Sequence, residues 1–219
     1  MKKRVFITGG SRGIGQATAY EFSKNNWEII FTYNKNKAGA KATAQKCKEL
    51  GATDVKILKL NITKDKSIRS TVKKIGKIDI LINNAGVLWE GRIKKMKFNE
   101  VENVLRSNLE GLIKLTLEFL PNIKRSIVNV ASRAGKIAHK DSVVYCASKF
   151  GVRGFTKGLA DEMKQLKIYS VNPGNVATQM TDFEGVSPEK VGKIIYKTAT
   201  GKTKIKSGGD IDVWKLIGG

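Results

Sequence analysis

The stretch Val5-Phe6-Ile7-Thr8-Gly9-Gly10-Ser11-Arg12-Gly13-Ile14-Gly15 joins a short apolar run to a longer helix-like segment. The apolar run predicts a buried strand, and the glycines allow a tight turn that a ligand can approach closely. A helix that begins at such a turn presents free N–H groups and a positive dipole end, which suits a phosphate group. The spacing G-x-x-x-G-x-G differs from the common G-x-G-x-x-G, so a glycine-rich turn without a ligand is the alternative.

The remainder of the chain repeats this alternation of short β-branched runs and helical stretches. The predicted strands are Arg4–Thr8, Glu28–Tyr33, Val55–Leu60, Ile78–Ile82, Ser126–Ala131, Ile168–Asn172 and Ile211–Leu216. The predicted helices are Ile14–Asn25, Ala38–Leu50, Lys66–Ile75, Asn99–Leu120, Tyr145–Leu166 and Pro188–Thr198. Strands that alternate with helices indicate βαβ units around a parallel sheet. We therefore expect an α/β fold of the Rossmann type, doubly wound, with about seven strands in a single domain over residues 1–219.

The composition is strongly basic, with 41 Lys and Arg against 19 Asp and Glu and a net charge of +22 over 219 residues. The cations are scattered along the chain and are not interleaved with aromatic residues, which favours a solvated lysine-rich surface over a nucleic-acid binding site. The alternative is a surface that attracts an acidic partner: nucleic acid, a phosphorylated cofactor or an acidic protein.

Several other classes are disfavoured. The two cysteines, Cys47 and Cys146, are far apart and fit neither a disulfide framework nor a metal site. The N-terminus lacks the apolar region of a secretory signal, and no segment approaches the ~20 apolar residues of a membrane helix. These features predict a cytoplasmic protein without a membrane partner or a bound metal.

The end of the second predicted strand indicates which dinucleotide the chain would bind. An NAD site usually places an acidic residue there, about 20 residues beyond the glycines, to hold the ribose hydroxyls. Here the sequence reads Tyr33-Asn34-Lys35-Asn36-Lys37, without a carboxylate. Lys35, Lys37 and the guanidinium of Arg12 would attract a 2′-phosphate instead. The sequence thus favours NADP(H) over NAD(H).

Candidate catalytic residues follow later strands. Tyr145 and Lys149 stand four residues apart on a predicted helix and hence on one face of it. Ser132 and Asn83-Asn84-Ala85-Gly86 each stand at the end of a predicted strand, which is where open α/β sheets bind ligands.

With these motifs the chain resembles the short-chain dehydrogenase/reductase family. The matching pieces occur in the family's order: the Thr8–Gly15 turn, Asn83–Gly86, Asn108, Ser132, Tyr145 with Lys149, and Pro173-Gly174 followed by Thr178. The resemblance implies an oxidoreductase that exchanges hydride between a nicotinamide and a carbonyl or secondary alcohol.

The resemblance also assigns roles to the catalytic residues. Tyr145 would be the general acid/base, and positive charge from Lys149 and from the oxidised nicotinamide would lower its pKa, which is near 10 when unperturbed. Lys149 would also bind the nicotinamide ribose. Ser132 would hold the substrate oxygen, and Asn108 would position a water in the proton relay to Lys149.

For the cofactor, the resemblance implies contacts from the Gly turn (Gly9, Ser11, Arg12, Gly13, Ile14, Gly15), from Tyr33, Asn34 and Lys35, from Asn61 and Ile62 at the adenine, from Asn84, Ala85 and Gly86 on the adenosine side, and from Tyr145, Lys149, Pro173, Gly174, Val176 and Thr178 at the nicotinamide end. Asn61 stands where many members have Asp, and an Asn side chain can still accept a hydrogen bond from adenine.

The substrate is less well defined. Residues 89–108 and Asn61-Ile62-Thr63 resemble 3-oxoacyl-acyl-carrier-protein reductases, and a cationic rim including Arg125, Arg133 or Arg153 would attract the acidic acyl carrier protein. A broader ketone, sugar or aldehyde reductase is the alternative, and the assembly is left open, with a homodimer and a homotetramer as candidates. A non-catalytic dinucleotide-binding or nucleic-acid-associated protein on the same fold is the competing class.

Overall fold

A computed structural model describes residues 2–217 and shows one parallel sheet with helices on both faces. The strands are β1 (Arg4–Ile7), β2 (Glu28–Tyr33), β3 (Asp54–Lys59), β4 (Ile78–Asn83), β5 (Ile123–Val130), β6 (Lys167–Asn172) and β7 (Asp210–Asp212). The helices are α1 (Gly13–Ser23), α2 (Lys37–Glu49), α3 (Asp65–Ile75), α4 (Phe98–Leu105), α5 (Gly111–Phe119), α6 (Val143–Glu162), α7 (Pro188–Ala199) and α8 (Val213–Ile217). The predicted Rossmann-type fold is confirmed.

The sheet order β3-β2-β1-β4-β5-β6-β7 reverses direction between β1 and β4. At such a reversal the loops leave the two strands toward opposite faces, and a crevice opens at the carboxyl ends of the strands. The loops after β1, β4, β5 and β6, which hold most of the predicted site residues, therefore meet at one edge of the sheet.

The core lies on both faces of the sheet because successive residues of each central strand point to opposite sides. In β1, Val5 and Ile7 join one apolar cluster, with Phe22 and Tyr196, whereas Phe6 joins the other, with Phe119. This two-sided burial explains the nearly continuous apolar runs in the sequence. Among residues 2–217, no helix is long and apolar enough to cross a membrane.

The predicted last strand, Ile211–Leu216, is wrong in extent. Only Asp210–Asp212 pair with β6, and the chain then forms the short helix α8. The chain enters α8 directly after Asp212, and Val213 is buried in the core from this helix, so apolar residues that suit a strand are buried here by a helix.

The predicted helix Asn99–Leu120 is divided in the structure. Helices α4 and α5 are separated by a π-helical turn, Arg106–Glu110. Both atoms of the Asn108 side-chain amide bond to the backbone of Val87, which fixes this residue within the wider turn. Single π turns of this kind occur frequently at functional sites.

Candidate active site

The turn between β1 and α1 has the backbone geometry that its glycines predict. Gly9 and Gly13 have φ values of +71° and +57°, and residues other than glycine rarely adopt this backbone conformation. Arg12 is the N-cap residue of α1 and makes no side-chain hydrogen bond to the first turn of that helix. The start of α1 therefore retains N–H donors and a positive dipole end for an anion.

Asn84, which follows β4, clamps this turn. Its side-chain amide donates hydrogen bonds to the carbonyl oxygens of Thr8 and Gly9, at 2.9 and 3.2 Å. In return the Thr8 hydroxyl oxygen accepts from the backbone N–H groups of Asn84 and Ala85, each at 2.9 Å. Sequence reasoning placed Asn84 and Ala85 near the cofactor but missed Thr8 as the residue that joins the two loops.

The turn fits the pyrophosphate of a dinucleotide. A Cβ on Gly15 would lie 2.3 Å from the Gly9 oxygen and 2.5 Å from the Asn84 amide nitrogen, so the first turn of α1 packs directly against the loop. A Cβ on Gly13 would lie 3.1 Å from the Thr178 side chain, which places the segment after β6 across the turn. The phosphate-binding residues and the predicted nicotinamide-side residue Thr178 therefore border one crevice.

A lysine-lined hollow lies beyond the ends of β2 and β3. It has a volume of about 550 Å³ and is lined by Tyr33, Asn34, Lys35, Lys37 and Lys59, without a carboxylate. Lys59 was missed by sequence reasoning because it belongs to β3, and only the register of the sheet pairs it with Tyr33. The backbone oxygen of Ser11 lies next to α2, 2.7 Å from the position that a Cβ on Gly39 would take.

Arg12 is oriented toward a different neighbour from the one expected. Its guanidinium donates a hydrogen bond to the side-chain oxygen of Gln179, in the short turn after Thr178. It is not among the residues that line the lysine hollow. Arg12 therefore links the glycine turn to the segment after β6, and a role at a 2′-phosphate would require it to leave Gln179.

The adenine-side residues Asn61 and Ile62 follow β3. The Asn61 side-chain oxygen already accepts hydrogen bonds from the backbone N–H and the hydroxyl of Thr63, at 3.1 and 2.8 Å. A carbonyl oxygen has two lone pairs, so an adenine amino group would compete with Thr63 for this atom. The predicted contact between Asn61 and adenine stays a prediction.

Tyr145 and Lys149 share one face of α6, and Ser132 lies opposite them at the end of β5. Burial raises the pKa of Tyr145 above 10.0, while a hydrogen bond with Ser132 lowers it in part. The lowered pKa expected from the resemblance includes the charge of the oxidised nicotinamide, and it stays a prediction. In the structure the ring is half-buried, and the ammonium of Lys149, 5.7 Å from the ring centroid, is bonded to a backbone oxygen.

Lys149 is a buried cation, with 5% of its surface exposed. Its ammonium donates a hydrogen bond to the Val130 carbonyl oxygen at 2.9 Å. Burial lowers the pKa of this group from 10.5 to about 8, because a charged ammonium is costly away from water. Such a group can respond to charge and proton changes at its neighbours near neutral pH.

Asn108 and Gly86 enclose the site from the β4 side. A Cβ on Gly86 would lie 3.1 Å from the Asn108 side-chain oxygen and 3.7 Å from the ammonium of Lys149. The Asn108 amide also donates to the Ser148 hydroxyl at 3.1 Å. Glycine at position 86 thus lets the β4 loop approach both Asn108 and Lys149.

The segment after β6 forms the remaining wall. The Pro173 carbonyl oxygen accepts a hydrogen bond from Arg133 N–H at 2.7 Å, next to Ser132, and the Thr178 hydroxyl caps the turn Gln179–Thr181. Val176 is buried, and a Cβ on Gly174 would lie 3.7 Å from Trp214. The structure therefore brings together the predicted catalytic side chains, the glycine turn and the residues Pro173–Thr178.

The sequence matches the family model described as short chain dehydrogenase over residues 3–186. Estradiol 17-beta-dehydrogenase 11 of Homo sapiens is 37% identical over 175 residues, covering 76% of this chain and 58% of that protein. The chain thus spans less than two thirds of the length of that relative. A 3-oxoacyl-[acyl-carrier-protein] reductase of Staphylococcus aureus is 29% identical over 192 residues, covering 83% of this chain and 78% of that protein.

Solved structures share the fold. A short chain dehydrogenase from Burkholderia cenocepacia in complex with NADP matches with a TM-score of 0.88 and 23% identity, covering 95% of each chain. A 3-oxoacyl-[acyl-carrier protein] reductase from Brucella melitensis in complex with NAD matches with a TM-score of 0.88 and 23% identity, covering 97% of this chain and 96% of that one. With the family model covering most of its length, the chain belongs to the short chain dehydrogenase family of oxidoreductases.

Proposed function

We propose that this protein is an NADP(H)-dependent oxidoreductase that reduces a carbonyl group to a secondary alcohol, or catalyses the reverse reaction. The observation that carries the proposal is Tyr145 on one face of α6 with the buried cation Lys149, whose ammonium lies 5.7 Å from the tyrosine ring centroid, and Ser132 at the end of β5. Burial of a lysine is costly, and a dinucleotide-binding protein without catalysis has no need for one beside a tyrosine.

The reduction requires a hydride at the carbonyl carbon and a proton at its oxygen. When bound, the reduced nicotinamide supplies the hydride. The Ser132 hydroxyl donates a hydrogen bond to the substrate oxygen, and the Tyr145 hydroxyl gives its proton to that oxygen as negative charge develops there. Lys149 stabilises the tyrosinate left behind, because its ammonium carries positive charge below its pKa of about 8.

Asn108 acts in this scheme through the backbone around the site. Its side chain is committed to Val87 and Ser148, so it fixes the β4 loop against α6. We assign the water of the proton relay to the main-chain carbonyl oxygen of Asn108, which belongs to the π turn. Protons then reach Tyr145 from solvent through this water and Lys149.

The lysine hollow supports NADP(H) as the cofactor. Lys35, Lys37 and Lys59 surround a space with no carboxylate, which favours the extra phosphate of NADP(H) and leaves the ribose of NAD(H) without its usual acceptor. Relatives with either cofactor share the fold, so the preference depends on these side chains. Arg12 is engaged with Gln179 and is not counted among the groups that hold the extra phosphate.

A 3-oxoacyl chain carried by acyl carrier protein is the first substrate to test, because the reductase from Staphylococcus aureus is a relative over most of its length. The cationic rim in the structure differs from the one that the sequence predicts. Arg153 is paired with Asp210, and Arg125 lies near the start of β5, about 17 Å along the strand from its active-site end at ~3.3 Å per residue. Arg133 remains exposed at that end.

The exposed segment 92–97 extends this rim. Its cations are Arg92, Lys94, Lys95 and Lys97, and the adjoining Gly91 N–H bonds to the Asp141 oxygen just before α6, at 2.8 Å. The segment therefore lies at the active-site end of the sheet, where it can attract an acidic carrier protein. A smaller ketone, sugar or aldehyde is the alternative substrate.

The test is a screen of carbonyl compounds with NADPH that includes one 3-oxoacyl chain both on acyl carrier protein and on a small thiol. We expect the carrier-bound form to have the higher kcat/KM at low salt, and the advantage to shrink when Lys94, Lys95 and Lys97 are replaced by Ala. The matched control replaces Lys73, Lys74 and Lys77, which are exposed around the start of β4, remote from the site. Equal turnover of both forms would exclude the carrier protein.

The purified protein also tests the competing class, a non-catalytic dinucleotide-binding or nucleic-acid-associated protein. Tyr145→Phe should abolish carbonyl-dependent NADPH oxidation, and unchanged oxidation would exclude the proposed chemistry. A nucleic-acid-associated protein would bind nucleic acid with an affinity that falls steeply with salt, and lack of binding at low salt would exclude it. The cytoplasmic location and the homodimer or homotetramer stay predictions.

A further inference from the structure

A polar network lies beneath the active site, between α6, β6 and β7. Arg153 donates two hydrogen bonds to the carboxylate of Asp210, at 2.9 and 2.5 Å. Asn172 donates to Asp210 and Asp212, at 3.1 and 3.0 Å, and Lys136 donates to Asp212 at 2.7 Å. The side chains of Arg153 and Asp210 are only 15% and 14% exposed, so solvent screens this pair weakly.

The network reaches the loop that follows Ser132. The Arg153 guanidinium donates a third hydrogen bond, at 2.6 Å, to the carbonyl oxygen of Gly135. Gly135 lies directly against α6: a Cβ there would be 2.7 Å from the Lys149 carbonyl oxygen and 3.2 Å from the Arg153 side chain. The loop is therefore seated on the helix turn that runs from Lys149 to Arg153.

This loop in turn holds Ser132. The Gly135 N–H donates to the Ser132 carbonyl oxygen at 2.9 Å, and the Ala134 N–H donates to the Ser132 hydroxyl oxygen at 3.1 Å. Ser132 is the N-cap of the short turn Arg133–Gly135, so its hydroxyl is oriented by a turn whose far end is bonded to Arg153. A displacement of Gly135 would be passed to the Ser132 hydroxyl through these bonds.

We propose that the Arg153–Asp210 ion pair is a positioning device that seats the loop Arg133–Gly135 on α6 and thereby sets the Ser132 hydroxyl against Tyr145. The inference rests on the proposed function and adds to it two positioning residues outside the reacting groups. Arg153 and Asp210 act through Ser132.

The charge state of the pair is constant over the working pH range. Burial acts to raise the pKa of Asp210, but hydrogen bonds from Arg153 and Asn172 outweigh it and lower the pKa to about 2. The hydrogen bond with Asp210 raises the pKa of Arg153 further above its ordinary value. A change in a pH–rate profile between pH 6 and 10 therefore does not come from titration of this pair.

A displacement of Ser132 can be measured through the pKa of Tyr145. Burial raises the pKa of Tyr145, hydrogen bonding by the Ser132 hydroxyl lowers it in part, and Cys146 and Glu90 raise it. The ammonium of Lys149 faces the same ring. Loss of the Ser132 hydrogen bond should move the pKa of Tyr145 upward, and alcohol oxidation, which needs the tyrosinate as a base, should then require a higher pH.

The experiment compares wild type with Arg153→Met, Arg153→Lys and Gly135→Ala. Arg153→Met removes the pair, and Gly135→Ala displaces the loop from the Lys149 carbonyl while every charge is kept. For both we expect kcat to fall about tenfold, the pH limb of alcohol oxidation to move to higher pH, and the KM for the cofactor to stay unchanged. Arg153→Lys keeps the charge without the bidentate fork and should restore part of the loss.

Arg69→Met is the matched control, because it breaks the exposed pair with Glu118, at 3.2 Å, and should leave kcat and the pH limb as in wild type. The proposal is overturned if Arg153→Met and Gly135→Ala fold, by circular dichroism and thermal melting, yet keep the wild-type kcat and pH limb. It is also overturned if Arg153→Met loses activity only in proportion to its unfolded fraction. A wild type that reduces no carbonyl compound overturns the proposed function itself, and the two failures are thus distinguishable.

Discussion

Lys149 and Lys59 both stand near the active-site edge of the sheet, but in opposite settings. Lys149 is 5% exposed, bonds to a backbone oxygen and has a pKa of about 8. Lys59 is exposed and lines an open hollow with other lysines. A buried charge acts at short range and is insensitive to salt, whereas an exposed charge acts through a field that salt screens within about 10 Å at 0.1 M. We therefore expect the buried Lys149 to act in catalysis and the exposed Lys59 to act in cofactor selection.

The largest expected effect comes from removing the buried cation. Lys149→Met should lower kcat by about 10³-fold, in the range of general acid–base contributions, because Tyr145 loses the charge that stabilises its tyrosinate. Steady-state kinetics with saturating NADPH measure this. Lys157→Met, an exposed lysine two turns further along α6, is the control and should retain wild-type activity. A kcat of Lys149→Met within threefold of the wild-type value would contradict a catalytic role for the buried cation.

The same buried cation should also make stability depend on pH. The pKa of Lys149 is about 8 in the folded protein, against 10.5 as the ordinary value, so between these pH values the unfolded chain holds a proton that the folded one has lost. Raising the pH then stabilises the folded state, by at most about 1.4 kcal/mol per pH unit.

Urea unfolding of wild type and Lys149→Met from pH 7 to 10 isolates this contribution. The free energy of unfolding of wild type should rise relative to the variant across that range, because the penalty for burying the charge disappears. A difference that stays constant with pH, or that falls, would show that Lys149 is not desolvated in the folded protein.

A smaller effect is expected at the clamp on the glycine turn. Asn84→Ala removes two hydrogen bonds and leaves the Thr8 and Gly9 oxygens without these donors, so we expect a loss of about 1–3 kcal/mol in stability and a roughly tenfold rise in the KM for NADPH. Thermal melting and kinetics measure the two effects. The control Asn25→Ala removes a single amide–backbone bond at the end of α1 and should leave KM unchanged. An unchanged KM in Asn84→Ala would exclude the clamp.

The smallest effect is expected at the exposed lysines. Lys59→Ala should lower kcat/KM for NADPH about fivefold at low salt, near 1 kcal/mol for one exposed charge, and much less at high salt. The value for NADH should not change. Lys56→Ala, at an exposed position earlier on the same edge strand, is the matched control. Equal losses for NADPH and NADH would mean that Lys59 does not contact the 2′-phosphate.

The sequence predicted the local features of this molecule well. The glycine turn and the pairing of Tyr145 with Lys149 depend on residues close in the chain, where spacing determines geometry. The strand order confirms the doubly wound sheet, whereas the single-domain assignment and the role of each site residue stay predictions.

Features that depend on register or on long-range contacts were not predictable. Lys59 reaches the hollow through the pairing of β2 with β3, and Arg153 meets Asp210 across 57 positions of the chain. The π turn holds Asn108, whose bonds to Val87 span 21 positions of the chain and are encoded by no local pattern. The last strand was overestimated because its apolar residues suit a strand, whereas Val213 is buried against the core from the short helix α8.

The most direct test of the division between catalysis and cofactor selection is steady-state kinetics of two variants with both NADPH and NADH. Tyr145→Phe should bind NADPH as wild type does, by cofactor fluorescence, and lose about 10³-fold in kcat. The triple variant Lys35→Ala, Lys37→Ala and Lys59→Ala should keep kcat at saturating cofactor and lose its preference for NADPH. Wild-type turnover in Tyr145→Phe, or an unchanged NADPH preference in the triple variant, would contradict the account.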